Sequence, residues 1–195
     1  MKRFVVAVSA ALLLGACGTA PQTAGPEVSP SSVKAGVVAG AEHNDIDVMY
    51  LQMMVAHHKQ GLEMVRIAEK SADRDDIATL AKAIDATQSD EVTLMKKWLT
   101  DWKQPTTVDH APNAHADHGG LPATGPEEID ALKKASGTAF ETAFLNLFVA
   151  HQHNAVEMAQ LETSQGDNKE TKAFADRVRE SRTDQIQQML TMMNA

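Results

Sequence analysis

Met49-Tyr50-Leu51-Gln52-Met53-Met54-Val55-Ala56-His57-His58-Lys59-Gln60-Gly61-Leu62-Glu63-Met64 is the stretch from which the fold can be read. Tyr50, Met54, His57, Gly61, Met64 and Ala68 follow one another at intervals of four, three, four, three and four. That is the spacing of a helix seam packed on other helices. His57 falls on the seam, and a buried imidazole has to find a hydrogen-bond partner or act as a ligand, because an unpaired one is costly. His58 is turned about 100° away and is expected to be half exposed.

Working outward, Asn44 is placed to cap this helix, with Asp45 and Asp47 favourable in its first turn, and the helix is expected to run to about Ser71. Asp73 is then a candidate cap for a second helix reaching about Trp102, with Ile77, Leu80, Ala81, Ile84, Glu91, Leu94, Met95, Trp98 and Leu99 at roughly helical spacing. Trp98 and Trp102 share a face and read as closing the end of a helix bundle. From Pro105 to Pro126 the periodicity vanishes, and His110, His115 and His118 stand among prolines, glycines and alanines. Beyond this loop, Thr124 with Glu127 resembles a capping box around Pro126, and Gly137 is expected to break the short helix so opened. Thr138 with Glu141 offers a second box, starting a long helix to about Gln165. Gly166-Asp167 repeats the earlier turn chemistry before a last helix carrying Phe174, Val178, Ile186, Met189, Leu190 and Met193.

The chain also matches itself. Shifted by 94 positions, Leu51, Val55, Ala56, His57, Glu63, Met64 and Asp73 meet Leu145, Val149, Ala150, His151, Glu157, Met158 and Asp167 without a gap. Each copy is a helical hairpin. One hairpin cannot bury its apolar stripe alone, so the expected fold is all-α, a four-helix bundle built from two repeated hairpins. Its symmetry could bring His57 and His151 near each other.

The ends of the chain bound its class. Lys2 and Arg3, an apolar run from Phe4 to Leu14 and then Leu14-Gly15-Ala16-Cys17 read as an export signal over residues 1–16 whose last residues resemble a bacterial lipobox. Cys17, the only cysteine, is thereby expected to carry a lipid that anchors the protein to a membrane. Residues 17–43 have the Pro, Ser, Gly and Ala content of a flexible tether, and residues 44–195 make the four-helix domain: hairpin one 44–103, a His-containing linker 104–125, hairpin two 126–195. Removing the signal takes the formal charge from −8 to −10, so nucleic acid is not expected as a partner. A protein partner and the oligomeric state are not legible.

The run Gln52 to Met64, with its second copy Phe148-Val149-Ala150-His151-Gln152-His153-Asn154-Ala155-Val156-Glu157-Met158, resembles the family called domain of unknown function 305. Its members carry a Met-Met-x-x-His-His motif followed by small residues and a Glu-Met pair, usually twice, and the resemblance covers nearly all of residues 45–193. It implies a ferritin-like helical bundle in exported or lipid-anchored bacterial proteins, some associated with copper. The second copy departs from the pattern: histidines 151 and 153 are separated by Gln152, and Leu147-Phe148 stand where methionines are common.

Met53 precedes His57 by four residues and Met54 precedes His58 by four, so each thioether can approach an imidazole on its own face. Thioether with imidazole suits Cu(I), whereas zinc sites favour thiolates, imidazoles and carboxylates. The candidate metal ligands are therefore His57, His58, Met53, Met54 and Met64 in the first copy, with His151, His153 and Met158 in the second. Each has a plainer reading beside it, methionine as core filler and histidine as a hydrogen-bonded core residue. Glu63 and Glu157 could support an imidazole or pair on the surface with Lys59 and His153, and the linker histidines could capture metal loosely or only be solvated. No Glu-x-x-His pair, phosphate-binding glycine loop or nucleophile elbow asks for an enzyme. The expectation is a lipid-anchored extracytoplasmic protein that binds copper for sequestration or transfer. The alternative is a metal-free envelope interaction or scaffold module with structurally buried histidines.

Overall fold

The computed structural model describes residues 37–107 and 124–195. Cys17, the export signal, most of the tether and His110, His115 and His118 lie outside the described residues. Five helices are present: α1 Asp45–Ser71, α2 Asp75–Asp101, α3 Pro126–Lys134, α4 Gly137–Gln165 and α5 Lys169–Met193. There is no strand among the described residues, and the fold is all-α. No described helix is long and apolar enough to cross a membrane.

The caps form partly as the sequence suggests. Asn44 closes a capping box on α1, its side chain accepting from the Ile46 and Asp47 amides while the Asp47 carboxylate accepts from the Asn44 amide at 2.7 Å. A side-chain cap of this kind contributes about 1 kcal/mol. Asp47 also accepts from the amides of Asp167 (3.2 Å) and Asn168 (3.0 Å), tying the start of α1 to the turn between α4 and α5.

Four expected caps are not made. Arg74, not Asp73, is the N-cap of α2; its own amide donates to the Glu141 carboxylate at 2.8 Å. Glu141 is thus drawn across to another helix and does not close a box with Thr138, and α4 starts at Gly137 with φ +56° behind Ser136. A positive φ at the first position suits glycine because no Cβ is strained there. Around Pro126 the N-cap is Gly125, and Thr124 is turned inward instead. Asn168 caps α5, accepting from the Thr171 amide, where Asp167 was the sequence candidate.

The short turns make α1 run antiparallel to α2 and α4 to α5, and α1 packs on α4, with α3 laid against both. Two apolar clusters fill the interior. One holds Met53, Met54, Trp98, Met158 and Phe174. The other holds Met64, Ile77, Ile84, Phe144, Phe148 and Met189. Between them every long helix contributes buried polar side chains at mid-length: His57 and His58 from α1, Gln88 and Glu91 from α2, His151 and Gln152 from α4, Arg182 and Gln185 from α5. The core is therefore crossed by a polar layer, and a layer buried this deeply is tolerated only where its groups pair or do chemistry.

Trp98 and Trp102 do close one end. Their indole N–H groups donate to the carbonyls of Val37 and Gly40, at 2.9 and 2.8 Å, while His43 stacks on Trp102 at 4.2 Å. The Asn168 side chain donates to the carbonyls of Gly40 and Glu42. Residues 37–43, read from sequence as the end of the tether, are thus held against the helices.

At the same end Glu162 is buried beside Asp47. Burial, then the neighbouring Asp47 carboxyl, push its carboxyl up to about 9. A carboxyl raised above its unfolded value of about 4.3 stabilises the fold fully below that value and loses the contribution as pH climbs through the folded pKa. Relative to Glu162→Gln, the native protein should lose thermal stability steadily between about pH 4.5 and 9 and level off above. A difference in Tm between the two proteins that stays constant over this window would contradict the assignment.

Candidate metal centre

The polar layer is built around α1. His57 and His58 are consecutive, so they leave the helix about 100° apart and enter different interfaces. His57 faces α4, where its ring stacks on His151 with centroids 3.6 Å apart and planes 14° from parallel. Its Nε2 donates to the His151 carbonyl at 3.1 Å. Gly61, one turn on, makes room for the contact, since a Cβ there would lie 2.6 Å from Gln88 Oε1 and 2.9 Å from His151 Nε2. On its other edge His151 Nδ1 meets the Thr124 hydroxyl at 3.2 Å. The hydroxyl that failed to cap α3 is used here.

His58 faces α2 and α5 and is fully buried, which corrects the expectation of half exposure: the two outer helices close over that side of α1. Its Nε2 lies 2.6 Å from Glu91 Oε2. Arg182 of α5 pairs with the same carboxylate oxygen and comes within 3.2 Å of His58 Nε2. At the matching 33-residue separation, Gln152 of α4 donates to Gln185 of α5.

Burial sets the protonation. It lowers the pKa of His57 well below the ordinary value, with the neighbouring His151 adding to the effect. It lowers His58 despite the pull of Glu91, and takes His151 down to about 3. Burial works to raise Glu91, yet the charge of Arg182 and the hydrogen bond from His58 hold it below the usual carboxylate range. The layer thus contains three neutral imidazoles and one ion pair. His57 Nδ1, His58 Nδ1 and His151 Nε2 have no hydrogen-bond partner among the described residues.

The structure sorts the candidates. Met53, Met54 and Met158 lie in the apolar cluster on one side of the layer and Met64 in the cluster on the other, so Met64 does not share the thioether side. His153 is exposed. Two residues along a helix is a turn of about 200°, so with His151 inward His153 has to point outward, and Gln152 takes the place that corresponds to His58. Glu63 pairs with Lys133 of α3 at 2.9 Å, a partner that Lys59 was expected to supply. Glu157 is exposed.

Which donors could hold a metal follows from geometry and chemistry. Among the described residues no group of three or more His, Cys, Asp or Glu side chains converges on one point. Nor can the stacked pair share an ion between its faces. Imidazole lone pairs lie in the ring plane, and with rings 3.6 Å apart an ion about 2.0 Å from both nitrogens would sit roughly 60° out of each plane. The remaining donors are the unpaired Nδ1 atoms of His57 and His58 with the thioethers of Met53 and Met54 one turn below, toward which helix side chains lean, and the unpaired Nε2 of His151. Neutral imidazole with thioether fits Cu(I) in donor type.

Sequence reading missed Glu91, Arg182, Gln152, Gln185 and Thr124 as members of this layer. A signal existed for one of them: Glu91 stands on the apolar seam of its helix, where a carboxylate needs a buried partner.

Comparisons with known proteins agree with this architecture. No curated protein matches the chain. A DUF305 protein from Streptomyces coelicolor, provisionally described as secreted, superposes with a TM-score of 0.70 at 25% identity, over 75% of this chain and 91% of that one. A DUF305 fragment from Deinococcus radiodurans gives 0.68 at 21% identity, over 77% and 97%. CopM in its Cu(I)-bound form gives 0.62 at 26% identity, over 76% and 95%, and CopM has also been solved with Cu(II) and with silver. The family model described as Domain of unknown function (DUF305) matches residues 47–193, and the chain belongs to that family.

Proposed function

We propose that this protein is a lipid-anchored, extracytoplasmic copper-binding protein that sequesters Cu(I) or passes it on. The domain is read as a ferritin-like four-helix bundle of two repeated hairpins. The observation that carries the copper reading is the set of buried, neutral imidazole nitrogens without partners among the described residues, at the edge of a methionine-lined cluster. The likeness to CopM, solved with copper bound, supports the choice of metal. His57 and His58 with Met53 and Met54 are the proposed principal ligands, joined from α4 by His151 and by Met158, which lies in the same apolar cluster as Met53 and Met54, with His153 and Met64 secondary. Bound there, Cu(I) would be held by soft, uncharged donors that disfavour hard cations. The binding work of the chain itself is to keep these imidazoles neutral and dry.

Titration with Cu(I) against a competing chelator tests this. The native protein should withdraw copper from the chelator, and His57→Ala with Met54→Ala should weaken binding at least about tenfold, the loss typical of removing metal-site support. Binding unchanged in the double variant would overturn the site. For the anchor, Cys17→Ser should move the protein from the membrane to the soluble fraction, and mass spectrometry should find a lipid on Cys17 of the native chain.

A metal-free interaction module is the second reading. The pairing of His58 with Glu91 and the stacking of His57 on His151 favour it, since these contacts already employ one edge or face of each ring. It requires that Cu(I) leave the Tm unchanged, whereas a ligand at a hundred times its Kd adds about 2.7 kcal/mol.

A further inference from the structure

We infer that Glu91, braced by Arg182, is a positioning residue that locks His58 with its proton on Nε2 and so presents Nδ1 as the ligating nitrogen. This rests on the copper reading above and names how the site is oriented.

The shorter of the two contacts at His58 Nε2 decides the arrangement. Glu91 Oε2 lies 2.6 Å from His58 Nε2, and an ionised carboxylate only accepts. If Nε2 were bare, two lone pairs would face each other at that distance, so Nε2 carries the hydrogen. Arg182, which only donates, pairs with the same carboxylate oxygen and lies 3.2 Å from His58 Nε2, a longer contact than the 2.6 Å one that Nε2 makes with the carboxylate. His58 Nδ1 is then a bare lone pair in the interior, without a hydrogen-bond partner among the described residues. The same logic holds at His57, where the His151 carbonyl can only accept from Nε2 and Nδ1 is again unpartnered. A carboxylate behind an imidazole is the arrangement by which metal sites fix tautomer and ring direction.

The other half of the molecule shows what the layer looks like without this device. Displaced by 94 positions, His58, Glu91 and Gln88 correspond to Gln152, Gln185 and Arg182. There an amide pair, Gln152 with Gln185, does the structural bridging between the two helices of a hairpin. Joining the helices needs no imidazole, no carboxylate and no guanidinium. The imidazole–carboxylate pair of the first hairpin, met by Arg182 from α5, therefore asks for a further role, and orienting a donor nitrogen supplies it.

Long-range proton–nitrogen correlation on metal-free protein with labelled histidine tests the inference. His58 should show one tautomer, with a protonated Nε2 and a bare Nδ1. Glu91→Asp should keep that tautomer. Glu91→Gln with Arg182→Gln, which leaves no buried charge unpaired, should give a mixture and weaken Cu(I) binding about 10- to 100-fold. A proton on Nδ1 in the native protein, a single tautomer retained in the double variant, or unchanged copper affinity in it would each overturn the inference. The tautomer is read without metal, so a native protein that shows it yet fails to bind copper would remove the copper reading and leave the orienting role of Glu91 standing.

Discussion

Arg182→Ala should destabilise the protein by about 3–5 kcal/mol, the cost of breaking a buried ion pair from one side. Arg182 has no exposed surface and is the cation on Glu91. Its removal strands a carboxylate among neutral imidazoles and apolar side chains, where an unpaired charge is expensive. The loss should come from the stranded charge and much less from the missing contact. Glu91→Gln with Arg182→Met should therefore recover most of the stability, since replacing a buried pair by uncharged side chains of similar volume is often neutral. Urea denaturation of the two variants separates these contributions. A double variant as unstable as Arg182→Ala would show that packing of the guanidinium, and not its charge, is what matters.

Phe148→Ala should cost about 3–5 kcal/mol, the range for truncating a buried phenylalanine. Phe148 is fully buried, stacks on Phe144 with centroids 5.3 Å apart and on His151 at 5.4 Å, and so joins the apolar cluster to the polar layer. It occupies the position of α4 that corresponds to Met54 of α1. Phe148→Met keeps the site apolar and nearly filled, and should cost less than about 1.5 kcal/mol. It would also place a thioether one turn below Gln152, so the two substitutions distinguish packing from ligand supply. Calorimetry checks the stabilities, and a copper titration of Phe148→Met should show no gain at a second site while position 152 remains glutamine.

The seam Tyr50, Met54, His57, Gly61, Met64 was enough to place α1 because periodic burial is a local property of the chain. All four long helices fall close to where spacing and turn residues put them. The approach of His57 to His151 was legible as well, since the 94-residue offset relates the two positions. Caps were less legible. Thr124 and Glu141 both have capping chemistry, yet each finds a partner on another helix, His151 for the one and the Arg74 amide for the other. The His58 environment was hidden for the same reason: Glu91 and Arg182 are 33 and 124 residues away, and only the packing of three helices brings them together. His153 lies on the outer face of α4 because about 200° of rotation separates it from His151.

Copper K-edge X-ray absorption of the Cu(I)-loaded protein addresses the central claim most directly. Ligation by the first hairpin predicts imidazole nitrogen at about 2.0 Å together with sulfur scattering at about 2.3 Å, distances typical of a d¹⁰ ion with these donors, the sulfur signal vanishing in Met53→Leu with Met54→Leu. A shell of oxygen alone, or a spectrum unchanged by His57→Ala with His58→Ala, would contradict it.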